Sequence, residues 1–188
     1  MDKLSLSRIP LLVWFLIPTL IIIGLGVWFL SKNPTLSPQE DQTKAAEVSQ
    51  EVEGTQVFDI VSRDHISQGA PGSGYNSNPP ASGPHWSAAA KNGVYDTSLA
   101  DEQVIHNLEH GHVWISYKPD VSDDVKDKLK EIVQKDDWKV VLAPRDKNDS
   151  VIALVAWGRV LAMDEPDYAK IEDFIKVYRN RGPEKTPE

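Results

Sequence analysis

The chain has 188 residues, and its 20 lysines and arginines against 28 aspartates and glutamates give a formal net charge of −8. This balance argues against a nucleic-acid-binding protein, which needs a basic surface to meet phosphates. The absence of cysteine excludes disulfides and thiolate metal ligands. Because part of this length is not globular in composition, one folded domain is expected.

An uncharged apolar run, residues 9–30, lies near the amino terminus. Roughly 20 apolar residues are enough to cross a bilayer as a helix, and Trp14 and Trp28 lie where interfacial aromatic residues are common. A cleaved signal peptide is the alternative, but the run exceeds a usual signal core and no A-x-A-like cleavage site follows. The short basic tail, residues 1–8, predicts a cytoplasmic amino terminus and an extracytoplasmic remainder.

A polar segment, residues 31–54, follows this run and contains two prolines and few large apolar residues. Such a segment buries too little apolar surface to offset the entropy lost on ordering, so it is interpreted as a flexible linker. Residues 55–184 are then expected to form the globular extracytoplasmic domain. About 130 residues are enough for one hydrophobic core.

The globular part carries two kinds of periodicity. Alternating apolar and β-branched residues predict strands at residues 57–62, 112–117, 139–144 and 151–163. Helical spacing predicts helices at residues 101–110, 122–137 and 167–180. Gly111 is expected to end the first helix and Ser122 to cap the second, while the turn-rich residues 145–150 predict a hairpin between the last two strand segments. Together these elements predict an α+β fold, with one mixed sheet covered by two amphipathic helices.

A long segment rich in glycine and proline, residues 67–93, separates the first strand from the first helix. Long loops inside compact domains are either functional or disordered. The prolines restrict the backbone, and Tyr75 and Trp86 can anchor the segment to the domain. We therefore expect an ordered, functional loop that carries His85.

Several short motifs occur in a fixed order: "YNSNPPASGPHW", "GVY", "HNLEHGHVWISYKP", "AWGR" and "YRNRGPE". They resemble the bacterial family catalogued as domain of unknown function 3105, over roughly residues 55–184. The resemblance implies exported or membrane-anchored relatives, but it brings no activity. It also implies that the residues of this chain that match the family pattern are His65, His85, His106, Glu109 and His110.

The first predicted helix separates its polar and apolar residues. At about 100° per residue, His110 lies about 40° and Glu109 about 300° from His106. The apolar stripe, between about 160° and 260°, consists of Val104, Ile105 and Leu108. The His and Glu side chains therefore face solvent, or whatever covers that side of the helix. The simplest alternative is a solvated polar end of a helix.

Spacing adds a metal-binding interpretation. His106 and His110 are four residues apart on one helix, close enough to share an ion. The remaining candidate ligands are His85, His65 and Glu109, with Glu109 either a ligand or a group that orients an imidazole. Nitrogen and oxygen donors suit zinc, copper(II) or nickel rather than copper(I). His112, which opens the next strand, is interpreted as a polar strand-end residue rather than a ligand.

The same helix motif also permits a hydrolase. "HNLEH" matches H-x-x-E-H, in which two histidines bind zinc and the glutamate activates water. The third ligand would then be a distant glutamate, for which the candidates are Glu165, Glu172 and Glu184. A nucleophilic hydrolase is disfavoured because the chain lacks cysteine and Ser82 lacks a strand–turn–helix setting.

A metal-free binding module is the second alternative. Tyr75, Trp86 and the loop prolines could form a surface for an envelope protein partner or a cell-wall glycan, with the histidines holding the loop on the helix. The favoured hypothesis is a membrane-anchored extracytoplasmic domain that binds a divalent transition metal, with catalysis left open.

Overall fold

The computed structural model describes residues 19–23, 25, 28 and 51–187. The chain divides into two compact units, Met1–Ser49 and Gln50–Glu188, and the described residues of the first unit are helical. No helix among the described residues is long and apolar enough to cross a membrane. Most of the run 9–30, all of the tail 1–8 and most of the linker 31–54 lie outside the described residues, so the anchor and its orientation stay predictions.

The second unit is an α+β fold, as expected. Its main-sheet strands are β1 (Gln56–Val57), β4 (Gly93–Val94), β5 (Val113–Tyr117), β6 (Val140–Pro144), β7 (Ile152–Ala156) and β8 (Arg159–Met163). They form a mixed six-stranded sheet in the order β1-β8-β7-β5-β6-β4. A separate parallel pair consists of β2 (His65–Ile66) and β3 (His85–Trp86).

Three helices complete the second unit: α1 (Asp101–Glu109), α2 (Asp123–Lys135) and α3 (Tyr168–Tyr178). Gly111 follows the end of helix α1, and its φ of 83° is a conformation that glycine adopts without steric cost. The Asp167 carboxylate caps α3 by accepting a hydrogen bond from the Lys170 amide. Ser122 occupies the corresponding position of α2, but its hydroxyl makes no capping bond, so the predicted side-chain cap is wrong.

The sheet has a hydrophobic layer on each face. On one face, α2 and α3 place Leu129, Ile171 and Phe174 against Ile115 and Leu142. On the other face, apolar residues of α1 and of the sheet pack together: Val104, Ile105, Leu108, Trp114, Val141 and Val155. The expectation of one sheet covered by two helices therefore accounts for one face only, because α1 covers the other. The apolar stripe of α1 packs against the sheet, so the opposite, polar side of α1 can be covered by other segments of the domain.

The prediction of a strand at residues 57–62 is wrong beyond Val57. Only Val57 belongs to β1. After it, the Phe58 amide donates to the Gly158 carbonyl, and the Val61 amide donates to the Ser82 hydroxyl oxygen. The chain thus leaves the sheet and continues along the long loop, because its backbone hydrogen bonds go to turn and loop residues.

The predicted hairpin through residues 145–150 is also wrong. Strand β6 pairs in parallel with β4 and β5, whereas β7 pairs with β5 and β8. Strand β5 therefore lies between the two segments. The hairpin instead joins β7 to β8 within the segment 151–163, where Gly158 has a φ of 69°.

Candidate metal centre

The outer side of α1 is covered by the parallel pair β2–β3. In this pair His65 is aligned with His85 and Ile66 with Trp86, so the two histidines lie side by side. The His85 amide donates to the Asp64 carbonyl at 3.0 Å, which fixes this alignment. Two histidines that are 20 residues apart in sequence therefore lie together on the β2–β3 pair, here called the platform, which packs on the helix.

Two polar side chains of helix α1 hold β3 and the loop that follows it. The Asn107 amide group donates to the Ala90 carbonyl and accepts from the Ala90 amide, both at 2.8 Å. His106 Nδ1 lies 2.8 Å from the Trp86 carbonyl oxygen. Asn107 is fully buried, so both polar ends of its side chain find a partner, as buried amides require. Sequence reasoning missed this role of Asn107, because a lone asparagine within a helix indicates no particular contact.

Four side chains converge between α1 and the platform: His65, His85, His106 and Glu109, here called the His/Glu cluster. One potential ligand atom from each lies within 4.8 Å of all the others. Glu109 Oε2 is 3.0 Å from His85 Nε2 and 3.6 Å from His65 Nε2. His85, His106 and Glu109 are buried, with exposures of 0%, 6% and 1%, whereas the His65 side chain is 47% exposed. The His/Glu cluster could therefore hold a metal ion.

Backbone carbonyls fix the orientation of the two buried imidazoles. His85 Nδ1 lies 2.7 Å from the Gly83 carbonyl oxygen, and His106 Nδ1 makes the corresponding contact with Trp86. Because a carbonyl only accepts hydrogen bonds, Nδ1 must carry the proton in both rings. In a neutral ring the Nε2 lone pair is then free. Histidines that bind metals are commonly held in this way by a group behind the ring.

Glu109 is held as an anion by Arg63. The Arg63 Nε–H group donates to Glu109 Oε1 at 2.7 Å. Burial opposes ionisation of Glu109, but the hydrogen bond from Arg63 and the neighbouring His85 outweigh it, so the pKa of Glu109 lies below its ordinary value. Arg63 leaves Oε2 directed towards the histidines. Sequence reasoning missed Arg63, which lies two residues before His65 in a segment without a recognisable motif.

His106 favours its neutral form. Burial lowers its pKa first, and the neighbouring His110 lowers it further, against the contrary effect of the Trp86 carbonyl. A neutral imidazole is the form that binds metal. A neutral His106 ring, protonated at Nδ1, has its Nε2 lone pair available to a metal ion.

His110, which the sequence paired with His106, lies outside the His/Glu cluster. Its ring centroid is 4.4 Å from that of His106, but its Nε2 atom lies 3.5 Å from Glu184 Oε2. The other oxygen of Glu184 accepts from Arg63 at 2.9 Å. The C-terminal segment carries Glu184 to this place, because the Glu184 amide donates to the Glu109 carbonyl. His110 and Glu184 therefore form a rim beside the cluster.

The loop aromatic residues use their polar atoms within the domain. The Tyr75 hydroxyl donates to the Pro84 carbonyl and the Trp86 indole N–H donates to the Ala70 carbonyl, both at 2.8 Å. Burial raises the pKa of Tyr75 above its ordinary value. Both residues thus brace the loop that presents His85. A partner-binding surface built from Tyr75 and Trp86 stays a prediction.

His112 and Ser82, two further residues considered from the sequence, are held by hydrogen bonds within the domain. His112 is buried, and its Nε2 atom lies 2.7 Å from Asn92 Oδ1. Burial and the charge of Lys139 lower the pKa of His112 to about 4. Ser82 is also buried and accepts a hydrogen bond from the Val61 amide. Neither residue belongs to the His/Glu cluster.

The chain belongs to the family described as Protein of unknown function (DUF3105), which it matches over residues 65–188. This match confirms the resemblance drawn from the sequence motifs, and it includes the whole His/Glu cluster. No curated protein matches the chain. No solved structure matches it either.

Proposed function

We propose that this protein binds one divalent transition metal ion through Nε2 of three histidines and Oε2 of one glutamate, the members of the His/Glu cluster. The binding domain is extracytoplasmic and is anchored in the membrane by residues 9–30. Support for the anchor is the uncharged apolar run in the sequence. Support for the metal comes from the geometry of the described residues.

One contact carries the metal proposal. His85 Nδ1 donates its proton to the Gly83 carbonyl, while His85 Nε2 lies 3.0 Å from Glu109 Oε2. In a neutral His85 the Nε2 lone pair would face a carboxylate oxygen, and two acceptors at this distance repel each other. A proton or a metal ion placed between these two atoms would remove the repulsion. The convergence of His65 and His106 on the same place favours the metal ion.

The spacing of the ligand atoms suits a small ion. Four ligands at about 2.0–2.1 Å from zinc in tetrahedral geometry lie about 3.3 Å from one another. The Glu109–His85 and Glu109–His65 distances, 3.0 Å and 3.6 Å, lie on either side of this value. All four ligand atoms lie within 4.8 Å of one another, and the half-exposed His65 side chain has room to move towards an ion. Zinc and copper(II) suit three imidazoles and one carboxylate.

The ligand set favours metal holding over hydrolysis. Four protein ligands close a tetrahedral site, whereas catalytic zinc sites keep one position for water. In the H-x-x-E-H arrangement both helix histidines bind zinc and the glutamate remains free to activate water. Here Glu109 lies inside the cluster, tied to Arg63, and His110 turns towards Glu184. We therefore assign the protein to metal handling, or to binding that a metal stabilises.

Metal content of the purified full-length chain tests this function. We expect one zinc or copper ion per chain after loading and desalting, and a loss of most of it in His106→Ala. His112→Ala is the matched control, because it removes a buried imidazole outside the cluster from the same sequence region. Equal metal content in wild type and His106→Ala would contradict the proposal.

A further inference from the structure

We infer that His65 is the exchange ligand of this site: the metal leaves as an external imidazole-type nitrogen donor displaces the His65 ring, and it enters by the reverse step. This inference rests on the proposed metal binding and adds the route by which the ion is transferred. It is carried by differences in burial, support and position between His65 and the other three ligands.

The cluster is built in layers, and His65 is the outermost. Helix α1 supplies His106 and Glu109, β3 lies against this helix with His85, and β2 lies beyond β3 with His65. The three inner side chains are at most 6% exposed, whereas the His65 side chain is 47% exposed. Solvent and solutes therefore reach the site from the His65 side.

The His65 ring also lacks the support that the inner rings have. His85 and His106 each donate Nδ1–H to a backbone carbonyl. Within residues 51–187, no hydrogen bond holds the His65 ring, whose polar contact is the 3.6 Å approach of Nε2 to Glu109 and whose flat face stacks on His106 at 5.1 Å. Ligands without a group behind the ring are less well oriented and bind more weakly. His65 is accordingly the ligand with the lowest barrier to displacement.

Backbone hydrogen bonds, both within and before the β2–β3 pair, hold the outer segment to the domain. Among them, the Gly83 amide donates to the Ser62 carbonyl at 3.2 Å, and the His85 amide to the Asp64 carbonyl at 3.0 Å. These bonds keep the backbone in place while the His65 side chain turns outward. The inner ligands His85, His106 and Glu109 can then retain the ion during the exchange.

The exchange step is balanced in atoms and charge. One metal–nitrogen bond to His65 Nε2 breaks, and one metal–nitrogen bond to the incoming imidazole forms, without a change in proton number or oxidation state. Arg63 beside the cluster disfavours an approaching cation, so the incoming imidazole approaches in its neutral form. The incoming group has the chemistry of a histidine side chain, whether free or on a partner protein.

Zinc release from the full-length, zinc-loaded chain tests the inference. Release is measured with a chromophoric chelator at increasing concentrations of free imidazole. We expect the wild-type rate to rise with imidazole concentration. In His65→Ala, zinc release should be at least about ten-fold faster. Its rate should no longer rise with imidazole concentration, because no His65 ring remains to be displaced.

Asp64→Ala is the matched control, since it alters the exposed neighbour of His65 and keeps the backbone carbonyl. Its release should follow that of the wild type. If the rate of zinc release from the wild type does not change with imidazole concentration, the inference about His65 is wrong and the proposed function is unaffected. This measurement does not depend on a variant that must fold. A wild type that retains neither zinc nor copper would instead overturn the proposed function, so the two failures are distinct.

Discussion

Glu109→Gln should destabilise the metal-free protein. The substitution preserves the shape of the side chain but replaces one of its two accepting oxygens by an NH₂ donor. In the folded protein, Glu109 Oε1 accepts from Arg63 at 2.7 Å and Oε2 lies 3.0 Å from His85. The amide must direct its NH₂ group either at the Arg63 donor or at the buried ring of His85. One charge-assisted contact is therefore lost in either orientation.

The expected cost is about 1.5–3 kcal/mol, the contribution of a hydrogen bond to a charged group. We count only the contact with the buried His85, since Arg63 is half-exposed and recovers its solvation. For a domain of this size the melting temperature falls by roughly 3–5 °C per kcal/mol, which gives a decrease of about 10 °C. Zinc affinity should fall as well, because a neutral amide replaces a carboxylate ligand.

Thermal unfolding of the full-length chain in chelator, followed by circular dichroism, measures this effect. Glu184→Gln is the matched control, because Glu184 pairs with the same Arg63 but its side chain is 46% exposed. Solvated pairs contribute little, so the control should melt close to the wild type. If Glu109→Gln and Glu184→Gln melt at the same temperature, the reasoning about the buried carboxylate is refuted.

Three further predictions concern pH, packing and topology. The pKa of His112 is lowered to about 4, below the unfolded value of about 6.5, so its contribution is complete above pH 6.5 and is lost as the pH falls towards 4. Denaturation of metal-free protein across this range should show a loss of up to about 3 kcal/mol that is reduced in His112→Gln; an unchanged pH profile in the variant would contradict this. Gly182→Ala should lower the melting temperature and release the C-terminal segment to proteolysis, because a Cβ atom there would overlap the Glu109 carbonyl oxygen and the Gly111 amide nitrogen; a variant as stable as the wild type would count against this packing. Protease added to intact spheroplasts should degrade the globular domain, and its protection would refute the predicted orientation.

The three helices were predictable because their signals are local. The apolar spacing of α2 and α3 gave their positions to within a few residues, and Gly111 marked the end of α1. The two-residue strands β2 and β3 were not predictable. A strand of that length has no periodicity, and its pairing is decided by contacts distant in sequence. The same limit explains the wrong hairpin, since only tertiary packing places β5 between β6 and β7.

The candidate site could be predicted in part for related reasons. Helical geometry correctly put His106 and Glu109 opposite the apolar stripe of α1. The sequence could not show that β2 and β3 bury this polar side, nor that Arg63 holds Glu109. It included His110 because residues four apart are neighbours on a helix. The contact of His110 with Glu184 depends on the fold of the C-terminal segment, which local spacing does not reveal.

X-ray absorption at the zinc edge of the zinc-loaded, full-length chain tests the central claim most directly. We expect a first shell of three imidazole nitrogens and one oxygen at about 2.0–2.1 Å, with the imidazole contribution reduced in His85→Ala. A first shell of oxygen atoms with fewer than two imidazoles would contradict binding by the His/Glu cluster.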